Sequence, residues 1–235
     1  MEQKRGLFIH LSQKDIWIHE SVLNTYLIVV VLGILSLYIY SKIKKADPFE
    51  KPKGLLHWVE IAVEGINSLT IQSMGKHNLG FAPYMMTIGV YLLVANLWGL
   101  TGLTAPTSDY NVTLALALIT FVLIHFFSLK TKGVLGYFKQ YTEPIAILTP
   151  INIIGEIANP ISLSFRLFGN ILSGALIMSL VYQGMNHLSR YLAPVVAAPL
   201  HGYFDVFSGV LQSLIFVMLS MSYINGNMAE VNEKE

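Results

Sequence analysis

Apolar residues run along this chain in blocks of bilayer length, and polar residues interrupt them at helical spacing. The first block, 21–41, is long enough for a hydrocarbon core of about 30 Å, and it stops at Lys42-Ile43-Lys44-Lys45. Segment 54–74 has a different pattern. Leu55, Trp58, Val59, Ala62, Ile66 and Leu69 recur on one side, and His57, Glu60, Glu64 and Asn67 mark the other. That periodicity predicts an amphipathic helix lying on the membrane surface, with a partner-facing helix outside the lipid as the alternative. Blocks 81–103 and 111–129 predict two further spans, joined by a short turn and followed by a basic loop, 130–140.

The last two apolar runs are too long for upright spans. The segment 141–183 would measure about 65 Å as one helix, and 190–225 about 50 Å, at 1.5 Å per residue. Each must kink at a proline or tilt strongly. The resulting fold class is an all-α polytopic membrane protein. It has five crossing segments and one surface helix, and the last two segments form a tilted hairpin. Residues 1–20 form an outer N-terminal segment in this reading, with His19-Glu20 a solvated pair, and 226–235 form a tail. The whole chain reads as a single transmembrane domain.

Composition agrees with this pattern. Of 235 residues, 54% are hydrophobic and 12% charged, about half the charge fraction of a soluble domain. The chain has no cysteine, which removes disulfides and thiolate metal sites. No signal or transit peptide is apparent. The placement of charge is more informative than its sum. Lys42, Lys44, Lys45, Lys51, Lys53 and Lys76 fall in one loop and Lys130, Lys132 and Lys139 in another, whereas the opposite side holds Lys4, Arg5, Lys14 and Arg190. The positive-inside rule then puts the N-terminus outside and the C-terminus in the cytoplasm.

One basic residue fits neither side. Arg166 lies inside an apolar run, where a charge costs roughly 3 kcal/mol or more and a guanidinium cannot shed its proton. It belongs to a stripe, Asn152, Glu156, Asn159, Arg166, Asn170 and Ser173, spaced 4, 3, 7, 4 and 3. A second stripe, His201, Asp205, Ser208 and Gln212, is spaced 4, 3 and 4. Both are single helix faces. Lipid does not solvate such faces, so they must meet each other, water or a partner. Small residues accompany them, as close helix packing requires. A static reading of Arg166 is a permanent salt bridge to Glu156 or Asp205. Asn152 and Asn159 sit beside Pro150 and Pro160, where they could instead satisfy freed backbone groups. His201 reads equally as structural or as part of a polar path, and His125 and His187 read as interfacial.

Several chemistries are absent from the sequence. It contains no phosphate-binding Gly-x-x-x-x-Gly-Lys-Ser/Thr, no His-Glu-x-x-His and no Cys-x-x-Cys. No basic patch with interleaved aromatics points to nucleic acid.

The run Ser162-Leu163-Ser164-Phe165-Arg166-Leu167-Phe168-Gly169-Asn170 follows Pro150-Ile151-Asn152-Ile153-Ile154-Gly155-Glu156. Together with Leu211-Gln212-Ser213-Leu214-Ile215-Phe216-Val217-Met218-Leu219-Ser220, it resembles subunit a of F-type ATP synthases. The resemblance is sharpest over 150–174 and 205–224. It implies a non-catalytic membrane stator, with no cofactor or metal, whose two long tilted helices embrace a ring of c subunits. Two offset half-channels would carry an ion to and from the ring. H⁺ is the expected ion, although the coordinating groups lie mainly on the c subunit and these residues alone name neither H⁺ nor Na⁺. Arg166 matches the family's essential arginine, Asn170 and Gln212 its polar neighbours, and Asp205 a half-channel position. Glu156, Asn159 and His201 complete the candidate ion path. The implied partners are the c-ring, the subunit b peripheral stalk, the other synthase subunits and lipid, in a bacterial cell membrane. Many bacterial relatives carry Glu nine positions after the arginine. Here that position is Ala175, which leaves Asp205 to carry the polar duty.

Two other readings use the same residues. In one, a secondary transporter binds an anion on Arg166, although the paired halves common in such folds are not visible. In the other, an intramembrane enzyme uses Asp205 or Glu156 as acid or base, although a second polar cluster for substrate is lacking.

Overall fold

A computed structural model describes residues 6–11, 14–47, 51–142, 145–188 and 192–228. Lys4, Arg5 and Arg190, used in the charge reading, and the tail beyond residue 228 lie outside them. Seven α-helices are described: α1 (Glu20–Lys45), α2 (Leu55–Met74), α3 (Ala82–Leu97), α4 (Tyr110–Thr142), α5 (Thr149–Leu188), α6 (Leu192–His201) and α7 (Ser208–Asn227). One π-helical turn, Gly202–Phe207, joins α6 to α7. Ahead of them, β1 (Gly6–Leu11) and β2 (Lys14–His19) form an antiparallel ribbon with Gly6 opposite His19. The helical pattern did not announce this ribbon.

Five helical stretches are long and apolar enough to cross a membrane: Glu20–Lys45, Lys76–Thr101, Tyr110–Thr142, Ala146–Met185 and Ala193–Asn227. The protein is therefore an all-α polytopic membrane protein. Helix α2 is not among the five. Its last turn is buried at Thr70 and Met74, while Trp58 at its start is 72% exposed.

Helix α7 sits at the centre, against α3, α4 and α2. Phe216, Val217, Met221 and Ile224 of α7 share one core with Met85, Ile88 and Leu92 of α3, Ala117 and Ile124 of α4, and Leu163 and Leu167 of α5. Glycine sets how closely these helices approach. A Cβ on Gly209 would stand 3.3 Å from Asn96, and one on Gly89 would stand 3.3 Å from Val217. Small residues permit such contacts inside membranes, where packing replaces the hydrophobic effect as the driving force. Polar contacts add direction. Asn96 donates to the Gly209 carbonyl at 3.2 Å and to the Ser213 hydroxyl at 3.0 Å, in full burial. Asn225 donates to the Ser73 carbonyl at 3.2 Å.

The basic segment 130–140 is not a loop. It continues α4 on both sides of a kink at Gly133, whose φ of 70° and ψ of 172° are essentially open only to glycine. Lys132 and Ser128 both donate to the Gln140 side-chain oxygen, at 2.8 and 3.3 Å, and these bonds tie the two arms together. As a result the run 141–183 is divided. Tyr141 and Thr142 close α4, and α5 begins at Thr149. Pro160 lies buried within α5, which continues through it.

Helix α1 is held mainly at one end. Ser21 donates to the Asp109 carboxylate at 2.7 Å, Asn24 donates to the Thr104 carbonyl at 2.8 Å, and His19 lies 3.8 Å from Asp109. His19 also pairs with the Ser21 hydroxyl at 2.7 Å, so it is part of this latch. Burial pushes the Asp109 carboxyl up, but hydrogen bonds from Ser21 and Asn111 and the His19 charge outweigh it and hold the group below the usual carboxylate value.

Candidate ion path along the fifth helix

Helices α4 and α5 run antiparallel, and ring contacts set their register. Tyr110, at the start of α4, meets Phe165 and Phe168 of α5 at 4.9 and 5.8 Å between centroids. Buried Leu163, Ser164 and Leu167 turn α5 inward at this level, while Phe165 and Arg166 face outward. Arg166 is exposed on the isolated chain. No described residue forms a hydrogen bond or ion pair with it, so the static salt bridge to Glu156 or Asp205 is not made here. Its neighbours Ile161, Ser162, Phe165, Ser173 and Leu176 are also exposed. A guanidinium on an apolar, membrane-embedded face is costly there, and among the described residues it has no counter-charge.

One turn beyond Arg166 the two polar stripes meet. Ser208 of α7 donates to the Asn170 side-chain oxygen at 2.7 Å, while the Asn170 amide nitrogen is buried without a partner. Gln212, one turn further along α7, is 7% exposed.

Toward the C-terminal end of α5, a second set of groups bridges helices. His201 shares a hydrogen bond with the Asp205 carboxylate through Nδ1 at 2.5 Å, and another with the Tyr182 hydroxyl through Nε2 at 3.0 Å. Asp205 lies in the π-helical turn. Such turns interrupt regular helices, often at functional sites. Ala175 is exposed and adds no polar group to this cluster. Tyr182 has no place in either stripe and was missed by the sequence reading. Its spacing from His201 has meaning only once α5 and α6 are antiparallel.

Toward the N-terminal end, Glu156 is half-buried, and its Oε2 is fully buried with no hydrogen-bond partner. It lines a cavity of about 450 Å³ together with Phe121, His125, Tyr137, Tyr141 and Ile153. Asn159, one turn on, is half-buried. Asn152 donates to the Tyr141 carbonyl, in the last turn of α4, at 2.9 Å. His125, read from the sequence as interfacial, faces this cavity. Side chain 187 lies outside the described residues.

Glu156, Arg166 and Tyr182 are therefore strung along one helix. Glu156 lies about 15 Å before the arginine and Tyr182 about 24 Å after it, at 1.5 Å per residue. No group of three or more His, Cys, Asp or Glu among the described residues could hold a metal ion.

Comparison with known proteins places this geometry in context. A family model described as ATP synthase A chain matches residues 22–225. ATP synthase subunit a 3 of Pelobacter propionicus is 33% identical over 229 residues, covering 95% of this chain and 93% of that protein. ATP synthase subunit a of Trichlorobacter lovleyi is 31% identical over 229 residues, covering 95% and 92%. A sodium ion specific ATP synthase subunit a of Propionigenium modestum is 36% identical over 187 residues, covering 72% and 62%.

Proposed function

This chain belongs to the ATP synthase A chain family, and on that basis we propose that it is the ion-translocating membrane stator of an F-type ATP synthase, working against a ring of c subunits. The observation that carries the proposal is the state of Arg166, which is membrane-embedded, exposed and without an ion-pair partner among the described residues. A ring carboxylate arriving at this face supplies the missing counter-charge. A fixed cation within about 4–6 Å lowers a carboxylate pKa by about 1–3, so the arriving group releases its ion. The same charge repels cations and prevents direct leakage past the ring.

Asn170, held by Ser208, and Gln212 flank the arginine and keep that level polar. The cavity at Glu156 serves as the cytoplasmic half-channel. The Tyr182–His201–Asp205 cluster serves as the outer one, with Asp205 taking the role that Ala175 cannot. Support for this division comes from the spacing of the two clusters on opposite sides of Arg166 along α5, and from the lysine distribution, which puts the start of α5 on the cytoplasmic side. We take the ion as H⁺ and the membrane as the bacterial cell membrane, with subunit b and the other synthase subunits as further partners.

The test is ATP-driven ion uptake into vesicles holding the whole complex, comparing wild type with Arg166→Ala, with and without Na⁺. Loss of uptake with the complex intact is expected, and the Na⁺ arm names the ion. Normal uptake in the variant would make Arg166 a structural residue and remove the proposal.

A further inference from the structure

The cavity at Glu156 contains an ordered chain of hydrogen-bonding groups that neither polar stripe includes. Tyr141 donates its hydroxyl proton to the Tyr137 oxygen at 3.1 Å, and the Tyr137 hydroxyl meets His125 Nδ1 at 3.1 Å. All three side chains line the cavity into which the unpartnered Glu156 carboxylate faces. The chain exists because α4 folds back at Gly133. That kink, tied by Lys132 and Gln140, returns Tyr137 to the level of His125. Phe121, Phe138, Ile153 and Ile157 form the apolar walls and Thr142 and Thr149 the other polar ones, so Tyr141, Tyr137 and His125 are the hydrogen-bonded set of this cavity.

We propose that Tyr141, Tyr137 and His125 form a proton relay that serves Glu156. The inference rests on the ion-translocating reading above and deepens it by naming the ion and its track on this side of the membrane. With His125 in the Nε2–H tautomer, its Nδ1 takes the Tyr137 proton. Tyr137 is reprotonated by Tyr141, and Tyr141 by hydronium in the cavity. The imidazolium then gives its Nε2 proton to the Glu156 carboxylate, directly or through water. One proton enters and one reaches the carboxylate, which leaves His125 as the Nδ1–H tautomer; a flip of its ring, with rotation of the hydroxyls, resets the chain. Each phenol both donates and accepts, which proton hopping requires. Na⁺ cannot travel by that route, so the relay commits this protein to H⁺.

The experiment measures ATP-driven proton uptake into vesicles holding the whole complex, for Tyr137→Phe, Tyr141→Phe and the double variant, with Arg166→Ala alongside. Phenylalanine keeps each ring and removes only the hydroxyl. Each single variant is expected to lose uptake by about tenfold or more, within the range of a positioned proton-transfer group. The double variant is expected to be no worse than either single, because one break already opens a series path. Independent packing defects would instead multiply. Wild-type uptake in Tyr137→Phe, multiplicative loss in the double variant, or uptake of Na⁺ in place of H⁺ would each overturn the relay while leaving the stator reading intact. Retained uptake in Arg166→Ala would remove the stator reading itself.

Discussion

Helices α5 and α7 both cross the membrane and both carry a polar stripe, yet they have opposite surroundings. Along α7, buried Ser213 and Ser220 and half-buried Asn225 find partners on neighbouring helices. Ser213 meets Asn96, Asn225 meets the Ser73 carbonyl, and Ser220 lies 3.4 Å from Thr120. Along α5, Arg166 stands exposed without a partner and the Asn170 and Glu156 side chains keep unsatisfied atoms. Unpaired polar groups in an apolar medium cost several kcal/mol unless something outside the fold meets them. The lesson of the difference is that polar spacing alone does not separate scaffold from function, whereas the destination of each polar group does.

The largest way to test this comparison is on the open face. Arg166→Lys keeps a charge but loses the planar fork and can deprotonate when desolvated. ATP synthesis in vesicles should fall severely with assembly unchanged, and wild-type rates would reject the guanidinium argument.

The closed face should respond in the opposite sense, through assembly. Gly209→Leu drives a side chain into Asn96 from a starting gap of 3.3 Å. Overpacking costs about 1–3 kcal/mol, so detergent-solubilised complex should melt earlier and its yield should drop. A variant that assembles normally but transports nothing would erase the distinction between the two helices.

A smaller effect follows from Asn96→Ala, which removes the bonds to Gly209 and Ser213. Hydrogen bonds between membrane helices average about 0.6 kcal/mol. A thermal shift of a degree or two is expected, with turnover per assembled complex unchanged.

The smallest concerns the latch at Asp109. Its carboxyl is held below the usual carboxylate value. A depressed carboxylate contributes stability that is fully present above the unfolded pKa and is lost as pH falls through the folded value. Protection of the amides at the start of α1, corrected for the intrinsic pH dependence of exchange, should therefore stay flat at neutral and mildly acid pH and fall only below about 4. Asp109→Asn should abolish that dependence.

Much of this was legible in the sequence because it is local. Bilayer-length runs, the isolated Arg166 and the spacing of each stripe need no knowledge of tertiary contacts. The meeting of Asn170 with Ser208 follows from two such stripes on neighbouring helices. The Gly133 kink was hidden because lysines and a glycine read as a loop, while a glycine in a region closed to other residues lets helix continue on both sides. The His125–Tyr137–Tyr141 chain was hidden for the same reason, since its partners are brought together only by that fold-back. Asn96 stood alone in an apolar span, and nothing local marked its partner on α7. The ribbon strands Gly6–Leu11 and Lys14–His19 are short and lie outside the helical periodicity that guided the rest.

In the proposed stator, the Arg166 face of α5 is the one the c-ring passes. This placement is tested most directly by disulfide cross-linking in the whole complex, with a cysteine at the exposed position Ser162 or Ser173 and a second on the outer helix of the c subunit. Cross-links are expected from both α5 positions and none from Ser220→Cys, which is buried on α7. Cross-linking from Ser220→Cys with none from Ser162→Cys or Ser173→Cys would contradict this placement.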